Sequence, residues 1–351
     1  MNSRERMLAA INHQPYDRVP TDIWATPEVW KKLEKHFGSS EKIIQELHID
    51  GMGGIGAEYI GPTLPICGPD EYADIWGCRH KKQTFESGEY YEQSYFPLAE
   101  ATTIEDLEKF NWPQADWFSY SNMRENAKKQ RENKIIQCGY MAMLYYHTLL
   151  RGMENALIDP HEDEEFTHYL LNKICDSFIS YHRKMFEACD GLIDLAQVTD
   201  DLGSQAGPLI SMNTFREFYK PYMQRCIDLC KEFGIKVFHH DDGAMSEFLP
   251  DLIEMGIDVL NPVQWNCPGM DVVELKAKYG NQITFHGAVE NQSILPFGTP
   301  DEVRAEVRKN IDVLAGDNTG YILASCHNMQ ANTPIENIIA MYDEAYTYGK
   351  R

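Results

Sequence analysis

Ile235-Lys-Val-Phe-His-His240-Asp-Asp-Gly243 is a short run of strand character that stops in imidazoles, carboxylates and a glycine. A buried parallel strand reads as a brief β-branched and aromatic run closed by turn residues. The same pattern recurs downstream in Asp258-Val-Leu-Asn-Pro-Val-Gln264, Ile283-Thr-Phe-His-Gly287 and Gly320-Tyr-Ile-Leu-Ala-Ser-Cys-His327, and upstream in Gly191-Leu-Ile-Asp-Leu-Ala-Gln197. Amphipathic helical patterns over 214–233, 245–255, 272–279 and 300–314 separate these runs. Three further strand candidates lie earlier: Val19-Pro-Thr-Asp-Ile-Trp24, Ile49-Asp-Gly-Met-Gly-Gly54 and Lys134-Ile-Ile-Gln-Cys-Gly-Tyr140. Eight strands alternating with helices predict an α/β fold, a (β/α)8 TIM-type barrel.

No low-complexity linker divides the 351 residues, so the expectation is a single domain over 1–351. Residues 59–117 form a long Gly/Pro- and aromatic-rich insertion in the N-terminal half, of the kind that serves as a lid or binding loop. Helix starts are also readable. Thr299-Pro300 and Thr333-Pro334 each set a capping hydroxyl before a proline suited to the first turn, and Glu336 completes a capping-box spacing with Thr333.

Acidic residues outnumber basic ones 54 to 32, a formal net charge of −22, and a field of that sign repels phosphate backbones and anionic lipid. Nucleic acid and membrane are therefore excluded as expected partners. The longest apolar runs, such as 141–146 and 321–324, are far too short to cross a bilayer, and the opening Met1-Asn-Ser-Arg-Glu-Arg6 leads into a helical pattern. The expected location is cytoplasmic. Nine scattered cysteines fit reduced thiols, and Cys226 and Cys230, one helical turn apart, read as packing residues.

In parallel barrels the loops after the strands share one face and collect the catalytic groups. Here those loops carry Gln197, Asp200 and Asp201, then His240 and Asp242, Asn261 and Gln264, His286 and Glu290, and Cys326-His327. His240, Asp242 and His327 form the candidate metal set, because two imidazoles and a carboxylate suit zinc or non-haem iron. The alternative is that one of His239 and His240 is a hydrogen-bonded core histidine and the aspartates cap the next helix. Asp200, Asp201 and His286 are the candidate catalytic residues; the aspartates equally suit helix caps, and His286 equally suits loop orientation. Gln197, Asn261, Gln264, Glu290 and Tyr145 are candidate substrate-binding side chains. Trp76, Tyr91, Tyr95 and Tyr146 are pocket or core aromatics, and Arg151 either reaches substrate or ends a helix in solvent.

Several of these motifs occur together in a known family. The chain resembles the uroporphyrinogen decarboxylase superfamily, and within it the zinc-dependent, corrinoid-linked methyltransferases. The resemblance rests on Arg4-Glu-Arg-Met-Leu-Ala-Ala-Ile11 with Asp17-Arg-Val-Pro20, the segment from Thr103 to Trp112-Pro113, and Leu150-Arg-Gly-Met-Glu-Asn155. In the second half it rests on Asp200-Asp-Leu-Gly203, Phe215-Arg-Glu-Phe-Tyr-Lys-Pro221, His240-Asp-Asp-Gly243, Asn261-Pro-Val-Gln264 and Thr333-Pro-Ile-Glu-Asn337.

Two departures matter. The arginine-rich motif that holds substrate carboxylates in the porphyrinogen decarboxylases is replaced by Asp22-Ile-Trp-Ala-Thr-Pro-Glu28. The methyltransferase pattern of His-x-Cys plus a later cysteine six residues before Thr-Pro becomes His240-x-Asp242 with His327. A site without thiolates is a stronger Lewis acid, suited to oxygen or nitrogen. The resemblance thus implies a zinc-dependent methyltransferase acting between an O- or N-methylated small molecule and a corrinoid held by a partner protein, since no DxHxxG cobalamin signature occurs in the chain. A cofactor-independent decarboxylase or lyase is the alternative, and a non-catalytic ligand-binding barrel the third reading.

Overall fold

The computed structural model describes residues 1–85 and 88–351. Seven strands, Met52–Ile55, Ile135–Ala142, Leu195–Thr199, Lys236–His240, Val259–Asn261, Thr284–Val289 and Tyr321–Ser325, form one sheet in chain order. Every neighbouring pair is parallel. Parallel strands need crossovers, and helices supply them: Lys220–Glu232 after the third strand, Leu249–Met255 after the fourth, Val272–Tyr279 after the fifth, and Pro300–Leu314 after the sixth.

The expected first strand, at 19–24, is present in a reduced form. Thr21 pairs in parallel with Leu323, Ala25 pairs with Met329, and the Thr21 carbonyl accepts the Asp50 and Gly51 amides at 3.1 Å. The segment touches both edges of the sheet and completes the ring by isolated bridges, without a continuous ladder. Pro20, which has no N–H to give, limits the pairing. Asp50 anchors this closure: its buried carboxylate accepts Arg6, Arg18 and the Thr21 amide.

Helix Pro300–Leu314 shows why the outer layer forms where the sequence predicts. Thr299 and Glu302 make a capping box, Pro300 occupies the first turn, and Val303, Val307, Ile311 and Leu314 line one buried stripe. Each such side chain stabilises the docked helix by roughly 1.5–3 kcal/mol. The last helix departs from expectation. It runs Ile335–Tyr348 with Pro334 at the cap position and no side-chain cap bond, so the predicted Thr333–Glu336 capping box is absent. Thr333 is instead buried in the preceding turn, where its carbonyl accepts Lys32 Nζ and its amide bonds Gln330.

The 59–117 insertion folds into short elements of its own. Glu71–Ala73, Arg79–Phe85 and Gly88–Tyr95 form a three-stranded antiparallel sheet, followed by helix Ile104–Lys109. Phe85, Gly88, Glu89 and Tyr90 enclose a pocket of about 360 Å³ with Thr26–Glu28 and Gln330–Ala331, so the hairpin reaches the loops at the barrel mouth. Tyr91 and Tyr95 remain exposed on it. All nine cysteines are free, and Cys226 and Cys230 are buried in packing. No helix among the described residues is long and apolar enough to cross a membrane.

Candidate metal centre

Parallel strands deliver their C-terminal ends to one face, and this brings His240, Asp242 and His327 together although 85 residues separate the last two. One donor atom from each lies within 4.8 Å of the other two. Asp242 Oδ2 stands 3.7 Å from His240 Nε2 and 3.6 Å from His327 Nε2. Tetrahedral zinc, with bonds of about 2.0–2.1 Å, spaces neighbouring donors roughly 3.3–3.5 Å apart, so the set fits the ion after small side-chain movements. Three protein donors also leave a fourth position for a reacting molecule. Burial raises the Asp242 carboxyl above its ordinary value, and the two imidazoles act against that rise.

The hydrogen bonds behind His240 determine which of its nitrogens carries the proton. His240 Nδ1 lies 2.6 Å from Asn261 Oδ1, an oxygen that only accepts, so Nδ1 donates and Nε2 keeps its lone pair toward Asp242 and His327. Asn261 Nδ2 then donates to His286 Nδ1 at 2.7 Å. His286 is therefore protonated at Nε2, which donates to Asp22 Oδ2 at 3.1 Å. Trp24 Nε1 donates to the same carboxylate, and the Trp24 ring stacks on His240 with centroids 5.5 Å apart. Asp22, His286, Asn261 and His240 thus form one chain in which each bond dictates the next. His286 is fully buried with both ring nitrogens engaged.

The tandem histidines face opposite ways, as alternation along a strand requires. His239 donates from Nδ1 to the Val198 carbonyl at 2.9 Å, away from the triad. Asp241 is buried, and its Oδ1 accepts the Leu202 and Gly203 amides, tying down the loop after the neighbouring strand. Burial lowers the His239 pKa and raises that of Asp241.

The remaining sequence candidates divide by environment. Asp201 is half-exposed with its carboxylate 4.0 Å from His240 Nε2, so it borders the triad. Asp200 is buried and accepts the Met143 and Tyr145 amides at the start of helix Met143–Arg151. Burial pushes its carboxyl up to about 7 against those amides. The Tyr145 phenol is raised by burial and by Asp201. Gln197 accepts from Gln137 Nε2 at 3.3 Å inside the sheet. Glu290 is buried and occupied by the Gln292, Ser293 and Ile294 amides; burial pushes its carboxyl up, but these bonds and the Ser293 hydroxyl hold it below its ordinary value. Arg151 does not end its helix in solvent. It is buried, paired with Asp159 through two nitrogens and bonded to the Ala101 carbonyl.

One cavity lies beside the triad and a second lies apart from it. One of about 290 Å³ is bounded by Asp242, His327 and Cys326, with Gln264 at its base. Its other walls, Gln205, Asn291, Gln292 and Gln330, carry no signal legible in the sequence, because single amides in loops have no periodic or spacing pattern. The second, about 550 Å³, lies between the first two sheet strands and helix Glu164–Cys189 and includes none of the triad. Trp76, Phe118, Tyr140, Tyr146, Phe178 and Tyr181 line it, and the buried His182 closes one side.

Comparison with known proteins agrees with this architecture. The family model described as uroporphyrinogen decarboxylase (URO-D) matches residues 140–348, which include all three triad residues. A methylated-thiol–coenzyme M methyltransferase of Methanosarcina mazei is 27% identical over 195 residues, covering 54% of this chain and 47% of that protein. A uroporphyrinogen decarboxylase of Chlorobium limicola is 24% identical over 327 residues, covering 88% and 87%. The chain spans about half the length of the first of these relatives. A solved methyltransferase from Methanosarcina mazei superposes with a TM-score of 0.65 over 99% of both chains at 17% identity, a likeness of fold. These relatives are enzymes, and the match over more than half of its length shows that the chain belongs to the uroporphyrinogen decarboxylase family.

Proposed function

We propose that the protein is a zinc-dependent methyltransferase that moves a methyl group between an O- or N-methylated small molecule and a corrinoid carried by a partner protein. The observation that carries this reading is the convergence of His240, Asp242 and His327 at the strand ends, with His240 Nε2 left as a lone-pair donor by its bond to Asn261. Zinc bound there would supply a Lewis acid to the substrate's oxygen or nitrogen, easing its departure from the methyl carbon. Asp242 and the two imidazoles would hold the ion. In this reading Asp201, beside His240, orients the substrate or passes a proton to the departing oxygen or nitrogen. Residues 1–351 act as one barrel domain in this reading, and the corrinoid protein docks at the mouth, where the ends of the strands open.

A second reading, metal-independent decarboxylation, draws support from the decarboxylase relatives and from Asp200, whose carboxyl titrates near neutrality. Metal content separates the two. Elemental analysis of the purified protein is expected to find near-stoichiometric zinc in wild type and its loss in His240→Ala, Asp242→Ala and His327→Ala. Folded wild type without zinc, after preparation with zinc available, would instead favour the decarboxylase.

A further inference from the structure

We infer that the 290 Å³ pocket beside the triad is a substrate pocket for an uncharged, hydrogen-bonding methyl compound, such as a methyl ether bearing an amide or hydroxyl, and that it discriminates against carboxylates, sulfonates and phosphates. The inference deepens the methyl-transfer reading and rests on it for the word substrate. It does not rest on it for the selectivity.

The lining carries the argument. Five primary amides, Gln205, Gln264, Asn291, Gln292 and Gln330, surround a space bounded on another side by Asp242 and His327. Among the described residues, no lysine or arginine lines it. Gln264 is set by its neighbours: its Oε1 accepts the Gly243 amide at 2.9 Å, and its Nε2 donates to Gln205 Oε1 at 3.1 Å. Gln292 and Gln330 are exposed at the rim.

A primary amide offers two N–H donors and a carbonyl acceptor, so a ring of amides satisfies a ligand that both gives and takes hydrogen bonds. It cannot neutralise an anion, and an anion stripped of water without a cationic partner is costly to hold. A divalent ion at the triad would add a ligand for a carboxylate, so the selectivity of the amide lining is read on protein without it.

The test is calorimetric binding of two probes of similar size, methoxyacetamide and methoxyacetate, to the full-length protein. It is read first on chelator-stripped protein, where a carboxylate cannot ligate the ion, and then on zinc-loaded protein. Methoxyacetamide is expected to bind stripped wild type at least about tenfold more tightly than methoxyacetate. Gln330→Arg and Gln292→Arg each bring a guanidinium to the rim, and at least one is expected to cut that ratio by about tenfold. Stronger binding of the acid to stripped wild type overturns the inference, as does a ratio that neither arginine moves, or the absence of binding by both at about 10 mM. Retained amide preference in a protein that takes up no zinc would sustain the selectivity while removing the methyl-transfer reading. Zinc uptake together with preference for the acid on stripped protein would do the reverse.

Discussion

The barrel carries two unlike regions. At the ends of strands Lys236–His240 and Val259–Asn261 and within Thr284–Val289, polar side chains are locked to one another, and each hydrogen bond dictates the donor and acceptor roles of the next. Between strands Met52–Ile55 and Ile135–Ala142 and helix Glu164–Cys189, the larger cavity is defined by aromatic shape, and its buried titratable imidazole is His182. The difference teaches that one fold separates chemical definition from apolar room. Disturbance of the first region should change what binds at the triad. Disturbance of the second should change how stably the chain folds.

The largest expected effect tests the aromatic side. His182 donates from Nδ1 to the Phe178 carbonyl and accepts the Tyr140 amide at Nε2, so its neutral form is fully used. Burial lowers its pKa from 6.5 to about 4. The unfolded chain takes up this proton first on acidification, so the stability associated with neutral His182 is whole above pH 6.5 and declines as pH falls toward 4. The full window corresponds to a loss on the order of 3 kcal/mol. Asp200 works in the opposite sense, because its raised folded value favours the protonated form and its contribution fades as pH rises toward 7. Comparing wild type with His182→Gln removes that background. In urea unfolding between pH 6.5 and 4, the difference in stability between the two proteins is expected to shift against wild type by about 1.4 kcal/mol per pH unit. Parallel pH profiles would show that this histidine does not report on the fold, and a loss of zinc in His182→Gln would break the separation between the regions.

The middle effect tests the polar side. Asn261→Leu removes the acceptor that holds the His240 proton on Nδ1 and leaves both imidazoles without their shared partner. Loss of such a supporting contact costs about 10–100-fold in metal affinity. A chelator-competition titration of zinc at neutral pH measures it, and unchanged affinity would mean that His240 does not need the relay to present Nε2.

Much of this was readable from sequence because parallel strands end on one face, so His240-x-Asp242 and His327 come together from strand ends alone. Which of His239 and His240 turns inward was not readable, since one residue of register reverses the answer. The position of His286 was hidden for another reason. Its partner Asp22 is 264 residues away, and nothing local shows that both ring nitrogens are taken. The helix start at Ile335 was misplaced because Thr333-Pro334 satisfies the spacing of a cap while the turn before it uses Thr333 otherwise. The segment at 19–24 was legible as a strand, but its isolated bridges reflect neighbours distant in the chain.

The smallest expected effect lies at the far end of the relay, where Asp22→Asn replaces one carboxylate oxygen by an amide nitrogen and changes little volume. Aspartate presents only acceptors to His286, which fixes the imidazole proton on Nε2 and leaves Nδ1 to accept from Asn261. Asparagine at position 22 also brings an N–H donor. Trp24 Nε1 donates to the same oxygen as His286, so this environment favours an acceptor there. When the new amide turns its N–H toward His286, that ring must move its proton to Nδ1, Asn261 must flip its own amide, and His240 then receives a donor at Nδ1. Its proton moves to Nε2, and the lone pair facing Asp242 and His327 is lost. The two orientations of the asparagine compete, so the expected weakening of zinc binding is about tenfold, at the lower end of the range for supporting contacts. Chelator competition measures it against Asn261→Leu in the same buffer. A weakening as large as that of Asn261→Leu would make Asp22 the controlling group of the chain, while none at all would end the relay at His286.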